Sequence, residues 1–299
     1  MLYLKDLITK ETPIIKVAND SSVTEIEKTK ILGTNNATYS LSRREEYFKM
    51  MYKMNNIWYY FKVEKENRAY PFYLIDELMG SFLAKKIEIS SVSYLIGNRK
   101  QKKNKYQFGL VSKNFKEPEF EYCFCDCYQE LCYLNSKKFY DFENYKNIEN
   151  LKIVCGSKEE TYRLIQQILK MLALDLFMLQ KDRNNSNIQF QINKKTQQIE
   201  LSPLYDFSNC IPKIEKEGIY LKNYILRLTE KTIKELLSQY PMFSAYLTYL
   251  LEIGFTNPWK EICASYAFNQ NSLAYEEILK YYQEKEESQR NNLSLYLKK

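Results

Sequence analysis

The sequence predicts an α+β protein of two lobes, and three observations carry that prediction. Between residues 46 and 111, short aromatic and β-branched runs are separated by polar turns, with one helical segment among them. From Gly156 onward the apolar spacing turns helical. That second region opens with a long helix, then a polar loop, then a hairpin. The strand-rich lobe is placed at residues 1–118 and the mainly helical lobe at 119–299. A chain of 299 residues can bury either one large core or two lobes across a cleft.

In the first lobe, Glu46 to Met51, a turn from Lys53 to Asn56, and Ile57 to Val63 read as a hairpin dense in aromatics. Ile75, Leu78, Met79, Phe82 and Leu83 recur at helical spacing and mark a helix with one bulky face. Glu77, Gly80, Ser81 and Ala84 fall on its opposite face, where small residues allow a backbone or ligand to come close. Strands follow at Val92 to Ile96 and Tyr106 to Val111. The basic run joining them, Arg99, Lys100, Lys102, Lys103 and Lys105, reads as a solvated loop rather than a binding patch.

In the second lobe, Ser157 and Glu160 form a Ser-x-x-Glu capping box that opens a helix through Leu164, Ile168, Leu172, Leu176 and Leu179, ending near Gln180. Strands Ile188 to Ile192 and Gln198 to Leu201 flank a turn at Asn193 to Thr196. From about Leu226, four further segments read as helices. Cys123, Cys125, Cys127 and Cys132 alternate with aromatics, as in a strand that buries thiols; their spacing is not that of a Cys-x2-Cys zinc knuckle.

Composition narrows the chemistry. The chain contains no histidine, which excludes Ser/His/Asp triads, Cys/His proteases, His-ligated zinc and imidazole bases. What remains is chemistry by carboxylates, lysine and a bound metal, of which phosphoryl transfer is the largest class. A net charge of +7 favours phosphate-bearing ligands but is too small to identify nucleic acid as a partner. No apolar run approaches the roughly 20 residues a membrane span needs, and a cytoplasmic protein is expected.

Phosphoryl-transfer sites use a loop Asp to accept the hydroxyl proton, an Asn five positions later to bind magnesium, and a second Asp to close the metal site. Asp182 and Asn187 stand at that D-x4-N spacing, and Asp206 follows the hairpin's second strand. Hard oxygen ligands of this kind suit Mg2+. Upstream, Lys62 in the strand IWYYFKVE and Glu77 in the following helix match the lysine and bracing glutamate that hold ATP phosphates; Asp76 is the rival for the glutamate's role. No Gly-rich phosphate loop is present. Ser40, Ser42 and Arg43, in SLSRR, are candidates for that place, with LGTNNAT around Gly33 as the alternative.

These segments resemble the HipA-like serine/threonine protein kinase family in its compact CtkA-type form. The resemblance is densest in ALDLFMLQKDRNNSNIQF and ELSPLYDF and extends over about residues 40 to 210. It implies a protein-kinase-like fold, with Asp182 as catalytic base, Asn187 and Asp206 as magnesium ligands, Lys62 as the ATP lysine and Glu77 as its partner. GLVSKNF is similar to the segment entering the family's interlobe hinge. Asn184 replaces a frequent histidine that is not the base. The implied partners are a protein carrying a Ser/Thr acceptor and an antitoxin-type protein, with no direct nucleic acid or membrane binding; the family also includes secreted effectors. A lipid or small-molecule phosphotransferase and a pseudokinase scaffold remain the alternatives.

Overall fold

The computed structural model describes residues 4–17, 49–54, 57–63, 72–100, 105–124, 155–180, 183, 187–208, 210 and 230–297. The candidate phosphate loop, Ser40, Ser42 and Arg43, lies outside them, as do Asp182, Cys125, Cys127 and Cys132. Among the described residues the strands are β1 (Ile14–Val17), β2 (Lys49–Met54), β3 (Ile57–Val63), β4 (Tyr94–Lys100), β5 (Tyr106–Lys113), β6 (Phe120–Phe124), β7 (Gln189–Asn193) and β8 (Ile199–Leu201). The α-helices are α1 (Tyr73–Lys86), α2 (Lys158–Met178), α3 (Glu230–Gln239), α4 (Pro241–Ile253), α5 (Thr256–Ser265) and α6 (Leu273–Leu297).

Five strands form one sheet in the order β1-β4-β5-β3-β2. Among the described strands of this sheet, β1 and β4 pair in parallel and the other pairings are antiparallel. One face carries a small cluster of Val17, Phe61, Val63 and Val111. Ile96 and Leu110 belong instead to the main core, which runs through α1 into α2 and the C-terminal helices. Strands β6, β7 and β8 form a separate antiparallel sheet with β7 in the middle. Strand-rich and helical lobes therefore share one continuous core along α1.

Local chemistry explains the element ends. Ser157 caps α2 by accepting from the Glu160 backbone N–H at 3.1 Å. The other half of the expected capping box is different. Glu160 accepts from the N–H of Gly156 and of Ile199, each at 2.6 Å, so its carboxylate ties the helix start to β8 rather than closing onto Ser157. Helix α2 ends at Leu179, which takes a left-handed conformation with φ 55°.

Several sequence expectations shift. The first hairpin's strand runs on through Met54, past the expected end at Met51, because Lys53 and Met54, read as part of the turn, pair with Trp58 and Ile57. Arg99 and Lys100 lie inside β4 rather than in a loop, since they pair with Gln107 and Tyr106. Helix α6 runs to Leu297, well past the apolar stretch that announces it. Cys123 falls in β6, in line with the strand reading of that part of the Cys-rich stretch.

Candidate functional site

Lys62 enters the site from β3 and is buried, with 6% of its surface exposed. An amine there must find acceptors, and among the described residues it pairs with Glu77 of α1 and donates to Asp206 Oδ1 at 2.8 Å and Ser208 Oγ at 2.7 Å. Burial alone would push the Lys62 ammonium down. The carboxylates of Asp206 and Glu77 more than reverse this and hold it above its ordinary value. The start of α1 is anchored beside it, because the Tyr73 hydroxyl donates to the Val63 carbonyl at 2.5 Å.

Glu77 is fully buried and is shared among three donors. Besides Lys62, it accepts from the Tyr94 hydroxyl at 2.8 Å and from the Phe207 N–H at 2.9 Å. Burial, followed by the Glu77 charge, pushes the Tyr94 hydroxyl well up, so Tyr94 remains a donor. The neighbouring acid, Asp76, turns elsewhere and accepts from the Tyr282 hydroxyl of α6 at 3.2 Å. Thus the polar side chains in the middle of α1 are not solvated: Asp76, Glu77 and Ser81 are as buried as its leucines. The small residue at Gly80 admits the Phe207 ring, since a Cβ there would stand 2.2 Å from Phe207 Cγ.

Asp206 is delivered by the chain leaving β8. Leu204 bridges Ser91, with Val92 N–H donating to Leu204 O at 2.9 Å and Leu204 N–H to Ser90 O at 2.8 Å. Gln180, just past α2, donates to the Asp206 carbonyl at 2.7 Å, and the Ser208 hydroxyl donates to Asp206 Oδ1 at 3.0 Å. Asp206 has φ 61°, a left-handed conformation that is costly for a residue with a Cβ and concentrates at functional sites.

The sequence reading missed Arg183. Its guanidinium is 1% exposed and joins three parts of the site. Nε donates to Asp175 Oδ2 of α2 at 3.0 Å, and Nη2 donates to Oδ1 at 3.1 Å. Nη1 donates to the Tyr205 carbonyl at 2.6 Å and the Asn187 carbonyl at 3.3 Å. The Phe207 ring lies 5.0 Å from its centre. Burial pushes the Asp175 carboxyl up, partly offset by Arg183.

Among the described residues, then, Lys62, Glu77 and Asp206 converge, and Asn187 is tied by its backbone to the segment carrying Asp206. Ser208, Tyr94 and Gln180 complete the surroundings. The oxygen donors that Asp206 and Asn187 carry are of the hard type that Mg2+ takes. No cluster of three or more His, Cys, Asp or Glu side chains suited to a metal occurs among the described residues. Two oxygen donors of this kind would be compatible with magnesium, which takes few protein groups and draws the rest of its shell from phosphate oxygens and water.

No protein-family model and no curated protein sequence matches the chain. Solved structures do. The proinflammatory kinase CtkA of Helicobacter pylori is similar over 84% of this chain and 93% of its own, with a TM-score of 0.54 and 13% identity. A chain of the Shewanella oneidensis MR-1 toxin–antitoxin complex of HipA, HipB and operator DNA is similar over 79% of this chain, with a TM-score of 0.52 and 12% identity. The present chain spans 58% of that second chain's length. The fold is thus the two-lobed, kinase-like α+β fold of the HipA type.

Proposed function

We propose that the chain is an ATP- and magnesium-dependent protein kinase that transfers the γ-phosphoryl group to a serine or threonine hydroxyl. One observation carries the reading: a strand lysine, Lys62, is shared between a helix glutamate, Glu77, and the acid that follows the hairpin, Asp206. Protein kinases need a strand lysine braced by a helix glutamate, with a metal-binding Asp beside them.

In this reading the lobes meet near residues 118 and 119 and enclose the nucleotide. Lys62 neutralises the α/β-phosphates, and Glu77 keeps its ammonium aimed at them. Asn187 and Asp206 would hold Mg2+, which when bound would supply neutralisation of phosphate charge. Asp182 takes the proton of the attacking hydroxyl as the new P–O bond forms and the γ-phosphoryl leaves ADP. Ser40, Ser42 and Arg43 cover the phosphates. A serine/threonine protein is the acceptor, an antitoxin-type protein is a regulatory partner, and the site of action is the cytoplasm. In the Shewanella oneidensis complex HipA occurs together with HipB, which supports the partner proposal by analogy alone.

The test is transfer of label from γ-labelled ATP, with magnesium, to protein, lipid and small-alcohol acceptors in parallel. Phosphoserine or phosphothreonine that disappears in both Asp182→Ala and Asp206→Ala supports the proposal. Label in lipid or metabolite alone refutes the protein acceptor, and label that survives both variants refutes the assigned residues.

A further inference from the structure

We infer that Arg183, held by Asp175, is a positioning residue that sets the magnesium affinity of the site; this rests on the kinase reading above. Asn187 precedes β7 and Asp206 follows β8, nineteen residues on, and among the described residues the backbone bonds between these two segments reach only to Gln189 and Ser202, so the last residues to each candidate ligand need another tie. The Arg183 guanidinium does so with a single nitrogen. Its Nη1 donates to the Asn187 carbonyl and also to the carbonyl of Tyr205, the residue next to Asp206. The remaining edge of the group is taken by Asp175, whose two oxygens receive Nε and Nη2. Asp175 sits within α2, a helix of 21 residues, and so refers the fork to a rigid support. The Phe207 ring beside the guanidinium restricts its tilt from the other side of Asp206.

Only a planar fork can span these partners at once. A lysine ammonium is a single point of charge and would reach the carboxylate or the carbonyls, but not hold all in register. Groups that orient metal ligands without touching the metal typically govern metal affinity by roughly 10- to 100-fold. Arg183 therefore acts on the magnesium ligands through the backbones at Asn187 and Tyr205, and reaches Lys62 and Glu77 through the segment that carries Asp206 and Phe207.

The experiment measures ATP binding to the full chain by calorimetry, with and without magnesium, alongside thermal unfolding. The variants are Arg183→Lys and the double replacement Asp175→Leu/Arg183→Met. The double variant exchanges the buried ion pair for apolar groups, a change that buried pairs often tolerate, so it keeps the fold testable. We expect the magnesium concentration for half-maximal ATP binding to rise about tenfold in both variants, with metal-free ATP affinity changed less than about twofold. Folded variants whose magnesium dependence matches wild type would overturn the inference and leave Arg183 a structural residue. Wild-type protein that binds ATP with no response to magnesium would overturn the kinase reading itself, and the inference with it.

Discussion

Gly80 and Phe207 are packed so closely that no other residue fits at position 80. A methyl group there would stand 2.2 Å from Phe207 Cγ and 2.7 Å from its Cβ. Because the obstruction includes the Cβ, rotating the ring does not clear it. Gly80→Ala gains up to about 1 kcal/mol in helix propensity but forces overpacking that costs about 1–3 kcal/mol. The net expected change is a loss of about 1 kcal/mol in urea unfolding. ATP binding should also weaken, since Phe207 is bonded through its N–H to Glu77 and adjoins Asp206.

Lys62 lies among acidic groups that it neutralises. Lys62→Met leaves Glu77 buried with only neutral donors described around it, and breaking a buried pair in this way costs about 3–5 kcal/mol. The double variant Lys62→Met/Glu77→Gln removes the orphaned charge and should recover a clear part of that loss. Chemical denaturation of the single and double variants measures it. Equal loss in both would show that Glu77 does not depend on Lys62.

The same cluster fixes a pH dependence. The Lys62 ammonium is held above its ordinary value of 10.5. A group whose folded value is raised contributes its full stability below the unfolded value and loses it as pH rises through the folded one. The difference in stability between wild type and the double variant Lys62→Met/Glu77→Gln, which leaves no orphaned carboxylate at position 77, should therefore be flat from about pH 6 to 9 and shrink only in strong alkali.

At the other end of the scale stands Glu286 of α6. Burial pushes its carboxyl up, but the N–H groups of Thr256 and Phe255, then Arg290, outweigh this and lower it below the ordinary 4.5. It thereby caps α5 from a distant helix. Its contribution is present above the ordinary carboxylate value and is lost as pH falls through the lowered one. Glu286→Gln should cost up to about 1 kcal/mol at neutral pH, reduced by the carboxylate's partial exposure, and nothing once both forms are neutral. Thermal unfolding from pH 7 to 3 checks this.

Much of this arrangement is legible in the sequence. Lys62 and Glu77 stand out because a lysine in an aromatic strand and a glutamate in the next helix are local signals, and Ser157 announces its helix by the residue type itself. Less local features are silent. Tyr94 and Ser208 look like ordinary strand and loop residues until Glu77 and Lys62 arrive beside them. Asp175 does leave a trace: in ALDLF it falls on the apolar stripe between Leu172 and Leu179, where a charge requires a buried partner. That the partner would be Arg183 depends on the path of the chain after α2, which periodicity does not specify. The face of α1 carrying Glu77 reads as accessible in the sequence because polar and small residues line it; it is buried because Phe207 and Tyr94 close over it.

The most direct measurement is ATP binding to the folded wild-type chain by calorimetry with magnesium, beside Lys62→Met and Asp206→Ala. The account predicts that wild type binds, that Lys62→Met loses affinity with or without the metal, and that Asp206→Ala loses chiefly the magnesium-dependent part. A folded wild-type protein that does not bind ATP, or binding that both variants leave unchanged, would contradict it.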